Sequence, residues 1–223
     1  RYNEYQVNNM KTIQKPRISA DIQPVQTIEK AMTEDDLIEN VLIENEFISE
    51  VKPERIHING SIFRSCDFMD CRFDHCDFCD CIFDNCDLSN LSFEKGSFHR
   101  CEFHKCRCTG SEFTSMLIQN TVFDHCKCTY ANFSSSTLKN NLFINCDCGQ
   151  ASFVATQFKE VLFSDSKLDE AEFFNSSLAG IDVSTCSIQG IAVSMDTLKG
   201  LIVSEYQAIE LAKLLGLIIK DNA

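Results

Sequence analysis

The chain has 223 residues, a net charge of −13 and fourteen cysteines, enough length for one large domain with its own core. Its acidity excludes direct binding to duplex phosphates, which needs a Lys/Arg surface, and favours basic partners instead. No run of eighteen apolar residues and no leader-like N-terminus is visible, which excludes a membrane span and leaves a cytoplasmic protein with reduced, buried thiols as the expectation.

Residues 1–34 have no period and read as an N-terminal tail, with Met10 a native start and residues 1–9 an expression remnant. Across 35–57, Leu37, Leu42 and Phe47 recur every five residues, but one position out of phase with the residues from Ile58 onward, and Pro53 lies in the gap. Two readings fit: an imperfect first coil after a bulge, or a short amphipathic helix on Leu37, Val41, Leu42 and Ile48. Either would cap the next segment.

From Ile58 to Val203 a period of five runs without an insertion, and all thirty positions in phase are apolar. They hold all but two of the eighteen Phe, the exceptions being Phe47 and Phe174. Two residues before each centre the side chain is usually small, as at Cys66, Cys71, Ser111 and Ala131. Two of every five side chains therefore point inward, which neither a 3.6 nor a 2.0 period can give. Residues twenty apart match as well: Cys106-Arg107-Cys108, Cys126-Lys127-Cys128 and Cys146-Asp147-Cys148.

Thiolates facing a packed core would be buried anions without a countercharge, so these Cys-x-Cys units read as packing rather than as a metal site. Cys79 is the one cysteine at an outward position. His75, His99, His104 and His125 are also outward, and there is no nucleophile motif, P-loop or dinucleotide fingerprint. No catalytic residue, cofactor or metal ligand is assigned. Ile62, Ile82, Val122, Leu142, Leu162 and Ile202 form an apolar stripe at outward positions, either packing on one another or meeting a partner. Asp67, Asp70, Asp74, Asp77, Asp80, Asp84 and Asp87 make the densest acidic stretch, a candidate partner surface or simply solvated aspartates that hydrogen-bond turns.

From about Glu205 the period of five gives way to helical spacing at Tyr206, Ile209, Leu211, Leu214, Leu215 and Ile218, so 204–223 is predicted as a capping and dimerisation helix. An open solenoid end needs such a cap, and the apolar excess suits a two-fold homodimer.

Units such as Cys66-Asp67-Phe68-Met69-Asp70 and Cys76-Asp77-Phe78-Cys79-Asp80 resemble the pentapeptide-repeat family. The resemblance implies an all-β fold, a right-handed quadrilateral β-helix over 58–203 with four pentapeptides per coil and a C-terminal α-helix. Thirty units make roughly seven coils and a rod about 35 Å long at the usual strand spacing. Its core ladder would include Phe63, Phe68, Phe73, Phe78, Phe83, Phe103, Phe123, Phe143 and Phe163, with stability spread between neighbouring coils. Tyr206-Gln207-Ala208, with Leu211-Ala212 and Leu214-Leu215-Gly216 after it, resembles the C-terminal segment of the Qnr quinolone-resistance proteins. That likeness implies a dimeric duplex-DNA mimic that binds DNA gyrase or topoisomerase IV and protects it from fluoroquinolones. Residues 58–203 carry 19 acidic and 11 basic residues, a net −8, against about twenty charges on a 35 Å duplex. The unbroken phase leaves no room for the projecting loops of many Qnr relatives.

Overall fold

The computed structural model describes residues 13–26, 28–34, 36–214 and 216–220. It is a β-solenoid of parallel rungs in which residues pair with those twenty positions on, as in Ile58 with Phe78, Phe78 with Phe98, and Phe103 with Phe123. Each coil has four faces. The first is centred on Ile58, Phe78, Phe98 and Ile118, and the second on Phe63, Phe83, Phe103 and Phe123; both carry strands. The third (Phe68, Leu88, Cys108) and fourth (Phe73, Phe93, Phe113) are joined mostly by isolated bridges, such as Asp87 with Arg107 and Ser92 with Glu112.

The corners explain the period. The fifth residue of nearly every unit through Asn175 lies in the left-handed region, from Asn40 at φ 55° to Asn175 at φ 59°, with Gly60 and Gly110 also there. One left-handed residue after each short extended segment turns the chain onto the next face. The cost for a non-glycine residue is about 1 kcal/mol or more, least for Asn, which is frequent at these positions.

Inside, the rings stack coil upon coil. On the second face Phe63, Phe83, Phe103, Phe123, Phe143 and Phe163 are stacked 4.7–5.0 Å apart with their planes nearly parallel, the natural spacing of parallel strands. A second column on the fourth face runs from Phe73 through Phe93, Phe113, Phe133 and Phe153 to Phe173. The two columns meet edge to face, as between Phe133 and Phe143 at 5.7 Å and 88°. All nine predicted ladder residues lie in this core, with Phe68 and Phe78 bridging the columns. Each buried ring contributes roughly 1.5–3 kcal/mol.

The small inward residues also act as donors. Cys81 Sγ donates to the Ile58 carbonyl, Cys86 to Phe63 and Cys126 to Phe103, always 23 residues back, at 3.3–3.4 Å. Ser111, Thr156 and Ser176 place a hydroxyl on the same carbonyl, and Asn141 an amide. The position therefore selects a small donor, which an apolar reading of cysteine misses. Burial pushes the Cys101 and Cys126 thiols well above their ordinary value and keeps them protonated.

Residues 36–50 differ from the expectation. The inward residues are Ile38, Ile43 and Ile48, in phase with the rest, while Leu37 and Phe47 are 53% and 55% exposed. Leu37 pairs with His57 and Phe47 with Asp67 in the ordinary register of twenty, so there is neither a bulge nor an amphipathic helix here. Apolar residues stand side by side as Leu37-Ile38, Leu42-Ile43 and Phe47-Ile48, so composition alone did not fix the phase. The β-branched member of each pair faces inward. The end is covered instead by helix α1 (Glu29–Glu34), whose Met32 is fully buried, with Ile28 beside it.

The N-terminal stretch is not a free tail where it is described. Residues 13–25 lie against the rod, and Gln23–Pro24 pairs with Val41–Leu42. The reading of Met10 and residues 1–9 falls outside the described residues.

Candidate partner-binding surfaces

Three surfaces bear on binding. The first is the acidic stretch. The five-residue period distributes its seven aspartates over all four faces: Asp77 and Asp80 belong to the first, Asp84 to the second, Asp67, Asp70 and Asp87 to the third, and Asp74 to the fourth. Four of them pair with arginine, namely Asp74 with Arg72 at 3.2 Å, Asp80 with Arg100 at 2.6 Å, Asp84 with Arg64 at 3.6 Å and Asp87 with Arg107 at 2.9 Å. Asp77 lies 3.2 Å from His57. The stretch is a belt around the rod with much of its charge neutralised.

Within that belt Asp80 is the buried member. Arg100 Nε and Nη2 grip both its oxygens at 2.6 Å, and the Arg17 backbone N–H donates at 3.0 Å. Burial alone would raise its carboxyl, but the guanidinium and that N–H outweigh burial and hold it below the usual carboxylate range. Cys79 sits alongside, 3.1 Å from Arg100 Nη2 and 4.0 Å from His99 Nδ1. Burial and the Asp80 charge push its thiol up to about 11, while burial and Arg100 hold His99 below its ordinary value. This group is locked into the coil by its own hydrogen bonds. Among the described residues no three or more His, Cys, Asp or Glu side chains are placed to hold a metal ion.

The second surface is the apolar stripe on the second face. Val122, Leu142, Ile144 and Leu162 form a separate apolar cluster outside the rod's core, each only 3–6% exposed, with Ile13 packed against it. Sequence reading left own-neighbour packing and a partner as alternatives; the N-terminal segment lies on the stripe. Its own apolar residue, Ile13, was the available signal. Farther along, Ile62 and Ile82 are half-buried and Ile202 is exposed.

The third surface is the C-terminal segment. Helix α2 (Glu205–Lys213) is nine residues long, shorter than the predicted 204–223. Gly216 beyond it adopts φ 72°, and Leu217–Lys220 is not helical. Ser204 and Gln207 form a capping box at its start, with Ser204 Oγ accepting from Gln207 N–H and Gln207 Oε1 accepting from Ser204 N–H. Gln207 Nε2 also donates to the carbonyls of Val183 and Cys186 at 2.7 Å each. One buried side chain thus starts the helix and closes the last coil. Leu211 packs on the core. Tyr206 is 84% exposed, and Ile209, Leu214 and Ile218 also face outward; Leu215 lies outside the described residues. No helix among the described residues is long and apolar enough to cross a membrane.

Two family profiles match the chain: pentapeptide repeats in eight copies over residues 56–85 and a pentapeptide repeat region over residues 96–173. No curated protein matches it. Among solved structures, two trypsin-treated variants of QnrB1, a plasmid-mediated fluoroquinolone resistance protein, share 21% and 23% identity with this chain. They cover 84% and 89% of it and 95% of their own length, each with a TM-score of 0.48. HetL, a pentapeptide repeat protein involved in heterocyst differentiation regulation from the cyanobacterium Nostoc sp. strain PCC 7120, shares 10% identity over 80% of this chain and 94% of its own, with a TM-score of 0.30. Both profiles fall on coils that share apolar centres, left-handed corners and twenty-residue rungs, and the chain is a pentapeptide-repeat protein.

Proposed function

We propose that this protein is a non-catalytic binding rod of the Qnr kind, which engages DNA gyrase or topoisomerase IV in place of duplex DNA and shields it from fluoroquinolones. The observation that carries the reading is the Tyr206-Gln207-Ala208 segment, whose resemblance to the Qnr C-terminus has a physical counterpart. Gln207 is committed to closing the last coil, which leaves Tyr206 projecting beside Ile209 and Leu214. A second copy of the chain meeting that apolar end would make a two-fold dimer and a longer rod.

A second reading is favoured by the acidic belt. Its aspartates are spread around the rod and largely paired, which suits a scaffold for another protein better than an imitation of phosphate charge. A supercoiling assay decides between them: gyrase or topoisomerase IV is held at an inhibitory fluoroquinolone level while this protein is titrated. The first reading requires recovery of activity, then direct inhibition in excess. No effect on either enzyme selects the scaffold.

A further inference from the structure

The edge between the first and second faces is unlike the edge between the second and third. On the latter, Asn85, Lys105, His125, Asn145 and Asp165 are all exposed. On the former, the corresponding corner residues Asp80, Asn120 and Asn140 are only 3–7% exposed and Arg100 and Glu160 are half-buried, although all sit at the same left-handed corner of their coils. What lies along this edge is the N-terminal segment. Gln14 N–H donates to Asn120 Oδ1 at 3.5 Å, Arg17 N–H to Asp80 Oδ1 at 3.0 Å and Gln23 N–H to the Asn40 carbonyl at 2.9 Å. Three residues of strap thus span two coils, from Asn120 to Asp80. An extended chain covers about 10 Å in three residues, which is two coils at about 4.8 Å each. The strap's repeat and the rod's pitch match.

We propose that this edge and the stripe beside it form a docking groove for an extended peptide, an apolar side chain and then basic residues, whose resident occupant is Ile13–Val25. The groove supplies what such a segment needs. Val122, Leu142, Ile144 and Leu162 receive one apolar side chain, as they receive Ile13. The corner side chains of Asn120 and Asp80, two coils apart, accept backbone N–H groups. Asn140 Oδ1, buried and without a partner among the described residues, is a further acceptor one coil beyond Asn120, available to a longer or shifted segment. The acidic rod suits the Lys15 and Arg17 of the strap, both exposed, and would suit the same pattern in another chain.

The strap is displaceable because its hold is divided. Near Val25 it is bonded into the sheet, whereas from Ile13 to Arg17 side-chain acceptors and the apolar anchor Ile13 retain it. A tethered segment competes at an effective concentration in the millimolar range, so a free peptide binds the intact protein weakly and binds well once the anchor is lost. That another protein supplies such a segment rests on the protein-binding reading above. The groove itself is testable without any topoisomerase.

The test uses the full chain, its Ile13→Asp variant, and a fluorescent peptide with the sequence of residues 13–25. In Ile13→Asp, tryptic cleavage between Arg17 and Ile18, read by mass spectrometry, should accelerate at least tenfold. Peptide affinity by anisotropy should rise at least tenfold over the parent chain, with the thermal midpoint nearly unchanged. Adding Leu142→Asp to that variant should abolish peptide binding. Unchanged cleavage, or peptide binding that is absent or indifferent to Leu142→Asp, overturns the proposal. So does a midpoint that falls as far as it does for a buried Phe substitution, since the strap would then be part of the rod's structure. All readouts are made on the isolated protein, so failure of the supercoiling assay leaves them interpretable.

Discussion

The coils up to Phe173 and those after it obey the same five-residue rule with different materials. In the first set, two columns of stacked rings fill the interior, and ordinary residues such as Lys95, Tyr130 and Glu160 occupy left-handed corners. After Phe173 the centres are Leu178, Val183 and Ile188, all buried, and then Val193 and Leu198, which are only half-buried. Beyond Asn175, the left-handed corners within the solenoid fall only on Gly180, Gly190 and Gly200. The difference is instructive. A non-glycine corner stores about 1–3 kcal/mol of strain and persists only where surrounding contacts over-determine it. Stacked rings provide those contacts between Phe63 and Phe173, although Asn40, Asn45 and Glu50 keep the same conformation beside the aliphatic Ile38, Ile43 and Ile48; beyond Asn175 the solenoid's left-handed corners are glycines.

The largest test of that contrast is a matched pair of truncations. Phe123→Ala removes a ring stacked on both sides, at 4.7 Å from Phe103 and 4.8 Å from Phe143, and should cost roughly 4 kcal/mol in urea unfolding. Val193→Ala, at a half-buried position in the last coils, should cost about 1 kcal/mol. Equal losses would mean that the rod responds as one cooperative block and that the change of side chains carries no energetic step.

Next in size is Arg100→Met, which leaves Asp80 buried without its cation and should cost about 3 kcal/mol at neutral pH. The pH dependence comes from the depressed Asp80 carboxyl. Its contribution is complete above the unfolded value of about 3.9 and disappears as pH falls through the lower folded value. In Arg100→Met the folded value rises, so the variant should lose least, relative to the parent, in acid where Asp80 is protonated. A deficit that grows on acidification would contradict the ion pair's role. The last coils contain no described partner for such an exchange, so the effect should stay with the ring-filled coils.

Gly96→Ala probes the same region through its backbone. A Cβ there would stand 2.2 Å from the Cys76 carbonyl oxygen, and because that obstacle is main chain, the coil itself must shift, at a cost of about 2 kcal/mol. A neutral result in thermal unfolding would show that neighbouring coils slide more easily than stacked rings suggest.

The range of each interaction decides how much of it was legible in the sequence. The inward phase was readable because Phe63 to Phe173 place a large apolar group at nearly every fifth residue, and burial selects for that directly. Gly96 was not distinguishable from Cys76 or Met116 at equivalent positions, because the clash depends on a local approach between coils. The fate of Ile13 was hidden for a similar reason, since it packs on residues more than a hundred positions away. At Leu37-Ile38 two adjacent apolar residues made the phase ambiguous, and only the pairing with His57-Ile58 resolves it. The aspartates were misleading in the opposite way. A run dense in sequence is wound by a five-residue period onto four separate faces, where arginines of the same and neighbouring coils meet it.

The smallest expected effect is also the most local. Gln207→Ala removes two hydrogen bonds to the Val183 and Cys186 carbonyls and one that caps helix α2. Each such bond contributes about 1 kcal/mol, but carbonyls uncovered at a rod's end by the truncation regain water. The total loss should therefore be about 1–2 kcal/mol, confined to the end. Hydrogen exchange locates it: the amides of Val183 and Ile202, bonded to Ile202 and Ile181 carbonyls, should exchange faster, while that of Phe113 in the ring-filled coils should not change. In a solenoid each coil contacts only its neighbours, so opening at one end reaches the centre only if the intervening interfaces are weak. Faster exchange at Phe113 would mean that stacked rings do not isolate the centre from the end, and the contrast between the two sets of coils would be one of composition without a boundary in stability.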